Sequence, residues 1–428
     1  MQFPILLKKL TIFLTRIFHA DSDEEAAMAD EAALPSTLDV IKKSHINKNA
    51  DGLRGIACFS VVAHHFIAAF LPFLLHKNYP TIFMASDHSS VFLKLCTSPM
   101  ITLFFNGQFA VVIFFVLSGY VLAAPYYTYD NASLILQRRL LGRFLRLNIP
   151  VAVSILLSML LYSCRKYYNL PASLVSCSQW LSHYFPAGLS YFTGLEDMAW
   201  KSVVSGDATF NTALWTLKIE FIGSILLLLF YLLKPREKSS IAWLFFFYLI
   251  FQNYGKDSLF LFAIMIGSLL HTFTLPKKWV PFVILFALYL GAFQFEERYY
   301  DFLPLVGVFK KKDFYETIGA VLLVAPIVQG YGKKFFETRI LQFLGRISYS
   351  LYLVHFLILC SLSCAFYLFL PHTSLVLLLN FFLYSLISIL VSVVFYKYVD
   401  RPAITISHHF SNILLNFKTK TLKKSFQK

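Results

Sequence analysis

Charge is what this 428-residue chain has least of: Asp, Glu, Lys and Arg together make up 14% of it. Soluble domains carry about 25%, so a soluble enzyme is excluded. Cysteine supplies no framework either. The six cysteines are scattered through apolar segments without a CxxC pair or a Cys/His ligand spacing. That argues against a metal site or a disulfide scaffold and leaves Cys360 and Cys364 as packing residues. A Gly-rich phosphate loop and a solenoid-period repeat are both missing, and no small-residue cleavage site follows the first apolar stretch. The formal net charge of +15 would suit nucleic acid. Basic residues on the inner loops of a membrane protein give the same excess, so no nucleic-acid partner is expected.

What the chain has instead is apolar surface, 57% of its residues. Ten spans are expected, near 54–75, 100–123, 147–164, 212–233, 241–254, 258–275, 279–293, 314–330, 347–370 and 374–398. With the N-terminus inside, the inner segments hold 27 Lys and Arg and the outer loops 10, the bias that inner loops should show. The expected fold is an all-α polytopic membrane bundle of about ten transmembrane helices with both termini cytoplasmic. Residues 1–50 read as an interfacial amphipathic helix and an acidic linker, and residues 403–428 as a basic cytoplasmic tail. The sequon at Asn131 falls on the inner side and should be unused. The longest outer loop, from Arg165 to about Phe210, gathers Trp180, Tyr184, Trp200, Glu196 and Asp197. Such a mixture suits carbohydrate or polar head groups, and equally an interfacial aromatic belt.

Ionisable groups inside hydrocarbon are costly, so each is a functional candidate: His64, His65, Lys218, Glu220, His271 and His355. Arg54 and His65 are 11 residues apart, which returns to within about 20° of one helix face with a rise of about 16 Å. That spacing predicts His65 near mid-membrane, in line with Arg54 at the inner rim, with His64 pointing about 80° away. Glu220 falls at a comparable depth from the other side, so the two are expected to meet, the carboxylate holding the imidazole in one tautomer for general-base work. His355 is either a member of the same cavity or structural. Arg138, Arg139, Arg143 and Arg146 open a helix. Guanidinium groups bind phosphate in a bidentate way, so coenzyme A is a fitting ligand, with the positive-inside bias or anionic lipid as the plain alternative. Ser118-Gly119 allows close helix approach. A serine hydrolase reading is disfavoured because Val116 stands where a Gly-x-Ser-Gly pattern needs glycine.

Five motifs in order resemble those of the acyltransferase family 3 membrane enzymes, from about Asp51 to Pro402. Asp51-Gly52-Leu53-Arg54-Gly55 with His65 is similar to the family's opening Arg and His, with ten residues between them. Phe114-Phe115-Val116-Leu117-Ser118-Gly119 resembles its second segment, and Arg143-Phe144-Leu145-Arg146 before Pro150 its arginine run. Leu214-Trp215-Thr216-Leu217-Lys218-Ile219-Glu220 resembles its Trp-Ser-Leu-x-x-Glu segment, and Gly345-Arg346-Ile347-Ser348-Tyr349 through His355, with Asp400-Arg401-Pro402, its closing helices. The resemblance implies transfer of an acyl group, usually acetyl, from cytoplasmic acyl-CoA to a hydroxyl of an extracytoplasmic glycan such as a lipopolysaccharide O-antigen. It implies His65 and Glu220 as catalytic residues, with Arg54, Asp51, Ser118, His355 and Trp215 in support. Arg143, Arg146 and Arg139 would bind acetyl-CoA, with the thioester near Ser118 and His65, and no metal is implied. Thr216 for serine and the extra charge of Lys218 depart from the pattern. The chain is expected to carry no soluble transferase domain after Pro402, so acylation finishes in the membrane part or on a separate partner. Composition leans toward a bacterial inner membrane. The competing class is a proton-coupled transporter or exporter, since the same residue types make proton relays.

Overall fold

A computed structural model describes residues 47–85, 90–129, 132–233, 257–295, 297–304 and 311–425. The expected amphipathic helix and acidic linker, apart from residues 47–50, lie outside the described residues. So do the expected span at 241–254, Asn131 of the sequon and the last three residues of the tail.

The described residues form helices and no strand. The principal helices are α1 (Lys48–Phe70), α2 (Gly107–Thr128), α3 (Ser133–Ser163), α4 (Trp215–Leu233), α5 (Ser258–Leu269), α6 (Val280–Gly291), α7 (Lys311–Val328), α8 (Arg339–Ile358), α9 (Ser374–Phe395) and α10 (Arg401–Ser425). Single π-helical turns carry α8 onward through Leu359–Ser363 and join α9 to α10 through Tyr396–Asp400. Among the described residues, six helical stretches are long and apolar enough to cross a membrane, those built on α1, α2, α3, α4, α8 and α9. α5 is a shorter apolar helix. The expected third span begins much earlier than apolarity suggested, because the arginine run forms the first turns of α3.

Lipid tails are as apolar as leucine, so close packing rather than the hydrophobic effect joins such helices. α1 and α8 show how. A Cβ on Gly52 would sit 2.1 Å from the Phe336 carbonyl oxygen, and one on Gly345 would sit 2.1 Å from that of Asp51. Cys58 Sγ donates to the Ser348 carbonyl oxygen at 3.2 Å, and His65 meets His355 farther along. Residue numbers rise together on both helices, so α1 and α8 run parallel and place the two histidines at one level. Gly119 lets α2 touch α5, where a Cβ would fall 1.7 Å from the Ile264 carbonyl oxygen.

Two large apolar clusters hold most of the buried core among the described residues. One joins α2, α4, α5 and α7, and the other joins α3 and α8 to the loop residues Leu181, Phe185 and Phe210. α1 belongs to both, giving Leu53, Ala57 and Val61 to the first and Cys58, Val62 and Phe66 to the second. His65 therefore rides on the helix shared by the two halves.

Candidate active site

The end of α1 opens on a cavity of about 190 Å³ lined by His64, His65, Tyr79, Gln108, Trp180 and Trp215, among others. His65 lies 17 residues into α1 and five from its end, about 26 Å along the axis. α1 starts six residues before Arg54 and stops at Phe70, so His65 sits under the loops at the far end. Those loops line the cavity with Tyr79 and Trp180, the latter stacking on the His65 ring at 5.5 Å.

The hydrogen bonds fix which nitrogen carries each proton. His355 Nδ1 lies 2.9 Å from the Leu351 carbonyl oxygen, one turn back on α8. A carbonyl only accepts, so the proton is on Nδ1, and in the neutral ring Nε2 holds a lone pair. His65 Nδ1 stands 2.8 Å from that Nε2 and must donate to it. His65 Nε2 is then left with its own lone pair on the cavity side. Two parallel helices and a backbone carbonyl thus turn an imidazole into a preset base or nucleophile. His64 obeys the same logic: Nδ1 donates to the Phe105 carbonyl oxygen at 3.0 Å. Although about 100° from His65 on the helix wheel, His64 lines the same cavity, because Gly107 at the start of α2 leaves room for its ring.

Glu220 does not hold His65. Its Oε1 accepts from Arg143 Nη2 and from Ser118 Oγ, the latter at 2.5 Å, and Arg143 Nε donates to Ser224 at 2.8 Å. Gly107 abuts His64, and Ser118 lies 11 residues farther down α2, about 16 Å away along the axis. Ser118, Glu220 and Arg143 therefore form a second cluster, deeper than the cavity, and the expected thioester position near both Ser118 and His65 is corrected. The partner of His65 is His355. Between the two levels the Tyr352 hydroxyl donates to the Ala213 carbonyl oxygen and accepts from Thr216 Oγ1, 2.6 Å away. Thr216 thus uses the hydroxyl it shares with serine.

Residues 47–397 match the sequence model of an acyltransferase domain, the acyltransferase family 3 domain. The chain belongs to that family. An O-acetyltransferase of Phomopsis amygdali, PaAT-1, is 26% identical over 226 residues, which are 46% of this chain and 42% of that relative. The chain thus matches less than half of that relative's length. No solved structure matches the chain.

Arg54 pairs with Asp51 at 2.8 Å near the start of α1 and does not reach His65. Arg146 pairs with Asp400 at 2.5 Å and lies over the Tyr349 ring, while Arg139 donates to the Val121 and Leu122 carbonyl oxygens at 2.8 and 3.3 Å. The three arginines expected to hold phosphate are therefore engaged inside the protein. Arg138 differs, with an Nε buried and without a hydrogen-bond partner. Lys218 points to Asp257, 3.6 Å away, and not toward Glu220. His271 Nε2 donates to the Tyr120 carbonyl oxygen at 2.8 Å and its ring stacks on Tyr120, a packing role. Cys360 and Cys364 are buried free thiols.

Sequence reasoning missed Tyr79, which lines the cavity, and the buried pair Lys312 and Glu316 behind it. The pair had a signal, opposite charges four residues apart at the head of an apolar run. Tyr79 had none, because its place depends on a loop folding back.

Proposed function

We propose that this protein is an integral membrane O-acyltransferase that moves an acetyl group from acetyl-CoA to a hydroxyl of a glycan. The observation that carries the reading is the Leu351–His355–His65 relay, which leaves the His65 Nε2 lone pair on a loop-covered cavity. His65 Nε2 takes the acceptor's hydroxyl proton, the oxygen attacks the thioester carbon, and the departing thiolate receives the proton from His65. The positive charge that His65 carries between these events is shared through Nδ1–H with His355. Trp180, Tyr184 and Trp215 around the cavity suit the faces and edges of sugar rings.

In this proposal about ten spans and two cytoplasmic termini put the start of α1 inside and the cavity at the outer side. Acetyl-CoA enters from the inner side. Arg138, half-buried near the start of α3, is the phosphate contact, while Arg143 and Arg146 hold helices together through Glu220 and Asp400. Arg54 and Asp51 anchor the inner end of α1, and a separate extracytoplasmic partner can take the acyl group onward. Membership of an acyltransferase family disfavours the transporter reading.

The test supplies radiolabelled acetyl-CoA to membranes holding the wild type or His65→Ala at equal abundance and measures alkali-labile acetate in glycan. Label with the wild type alone supports the reading. Equal label in both sinks His65 as the reacting group.

A further inference from the structure

Behind Tyr79, which lines the cavity, lies a buried ion pair that this reaction does not use. Lys312 and Glu316 lie one turn apart on α7, 2% and 0% exposed, with Nζ 2.8 Å from Oε1. Asn106, which caps α2, donates from Nδ2 to the same Oε1 at 2.5 Å and to the Gly291 carbonyl oxygen at 2.8 Å. Glu316 Oε2 is buried and accepts no hydrogen bond. Enclosing such a pair is expensive, and apolar residues in its place are often no worse for stability. An ionic pair kept inside a membrane bundle, incompletely satisfied and beside a reaction cavity, therefore points to function.

What the pair does is set by Tyr79. Lys312 Nζ lies over the Tyr79 ring, 4.4 Å from its centroid, while the ring meets His64 edge to face at 5.7 Å and lines the cavity. Of the cavity-lining aromatics, Tyr79 is the one with a cation over its ring among the described residues. Its loop is tied down on both sides. Lys77 pairs with Glu297, the Lys77 carbonyl oxygen accepts from Phe295 N at 2.8 Å, and His76 Nδ1 donates to the Phe83 carbonyl oxygen at 2.7 Å.

We propose that Tyr79 is the oxyanion-stabilising donor of the His65 cavity, with Lys312, Glu316 and Asn106 as its positioning residues. The inference rests on the acyl-transfer reading above. As the acceptor oxygen bonds to the thioester carbon, the carbonyl π pair moves onto oxygen, and the Tyr79 hydroxyl donates a hydrogen bond to that oxyanion. When the pair returns, the carbon–sulfur bond breaks and the thiolate leaves with the proton from His65, so ester and thiol form with no proton gained or lost. A cation over the phenol ring stabilises the negative charge that the phenol takes up as it donates, and exclusion of water strengthens both effects.

The test measures kcat and KM for acetyl transfer from acetyl-CoA in membranes at matched abundance. Tyr79→Phe keeps the ring between His64 and Lys312 and removes only the hydroxyl. The expected result is a fall in kcat of about a hundredfold or more, with the KM for acetyl-CoA changed by less than about threefold. Replacing Tyr79 with mono- and difluorotyrosine, which alter phenol acidity at nearly constant shape, should change log kcat in a graded way. A structural tyrosine would give a flat series. The double variant Lys312→Met with Glu316→Gln, which leaves no unpaired charge behind, should lower kcat about tenfold and flatten the fluorotyrosine slope. Unchanged kcat in Tyr79→Phe alongside an inactive His65→Ala overturns this proposal alone. Full activity in His65→Ala overturns the acyl-transfer reading beneath it.

Discussion

Replacing His355 by Phe is the sharpest perturbation of the relay. Phe preserves ring volume at a fully buried position, so the change removes the acceptor of His65 Nδ1–H and little packing. A buried donor without its partner costs about 1–3 kcal/mol, and the loss falls on one tautomer of His65 alone. The other tautomer, with the proton on Nε2, puts that proton into the cavity and has no base to offer. A shift of that size favours the wrong tautomer by about 5- to 150-fold at 1.4 kcal/mol per decade, and loss of charge sharing in the transition state adds to it. The expected fall in kcat is about 10²-fold or more, with little change in KM for acetyl-CoA. His355→Gln, whose Oε1 can take the place of Nε2 as acceptor, should recover at least about a tenth of the wild-type rate. The assay is single-turnover acetyl transfer in membranes, with abundance and thermal melting recorded in parallel. A His355→Phe enzyme that keeps more than a third of wild-type kcat, or a Gln variant no better than Phe, would refute the tautomer argument.

Glu220→Ala should lower thermal stability as well as activity, because it strands Arg143, and removing one partner of a buried pair costs about 3–5 kcal/mol when burial is complete. With 14% and 19% of the two side chains exposed, the lower part of that range or less applies, and adding Arg143→Met should return much of the melting temperature in a double-mutant cycle. Gly345→Ala should abolish folded protein in the membrane, since the added Cβ would meet backbone at Asp51 rather than a side chain that can turn away. Membrane abundance by immunoblot decides it. Lys218→Met should keep kcat within about threefold, since Lys218 faces Asp257 away from Glu220, and a large loss would show that its charge reaches the site. Arg138→Gln should raise the KM for acetyl-CoA with kcat little changed, the signature of lost uniform binding.

Which parts were legible in the sequence follows from how far each signal reaches along the chain. Apolar runs mark membrane spans because bilayer thickness sets their length, and α1, α2, α4, α8 and α9 emerged near their expected positions. The start of α3 did not, because arginines at an interface look like loop until the helix behind them is seen. The Arg54–His65 spacing put both on one face of α1, but it could not show that α1 ends five residues beyond His65, under the loops that line the cavity. Matching Glu220 to His65 by height failed because height does not say which helices are neighbours. α4 presents Glu220 to α2 and α3, where Ser118 and Arg143 reach it first.

By itself, the sequence determined that this is a helical membrane protein, which of its ionisable residues fall within apolar runs, and which family's motifs it carries. These are local properties, written in composition and spacing. The tertiary structure decided the partnerships: His65 with His355, Glu220 with Arg143, and Lys312 over Tyr79. A hydrogen bond reaches about 3 Å, while these partners are separated by 77 to 290 residues of chain. Only the packing of helices, set at α1 and α8 by the glycine seam, brings such groups within that reach.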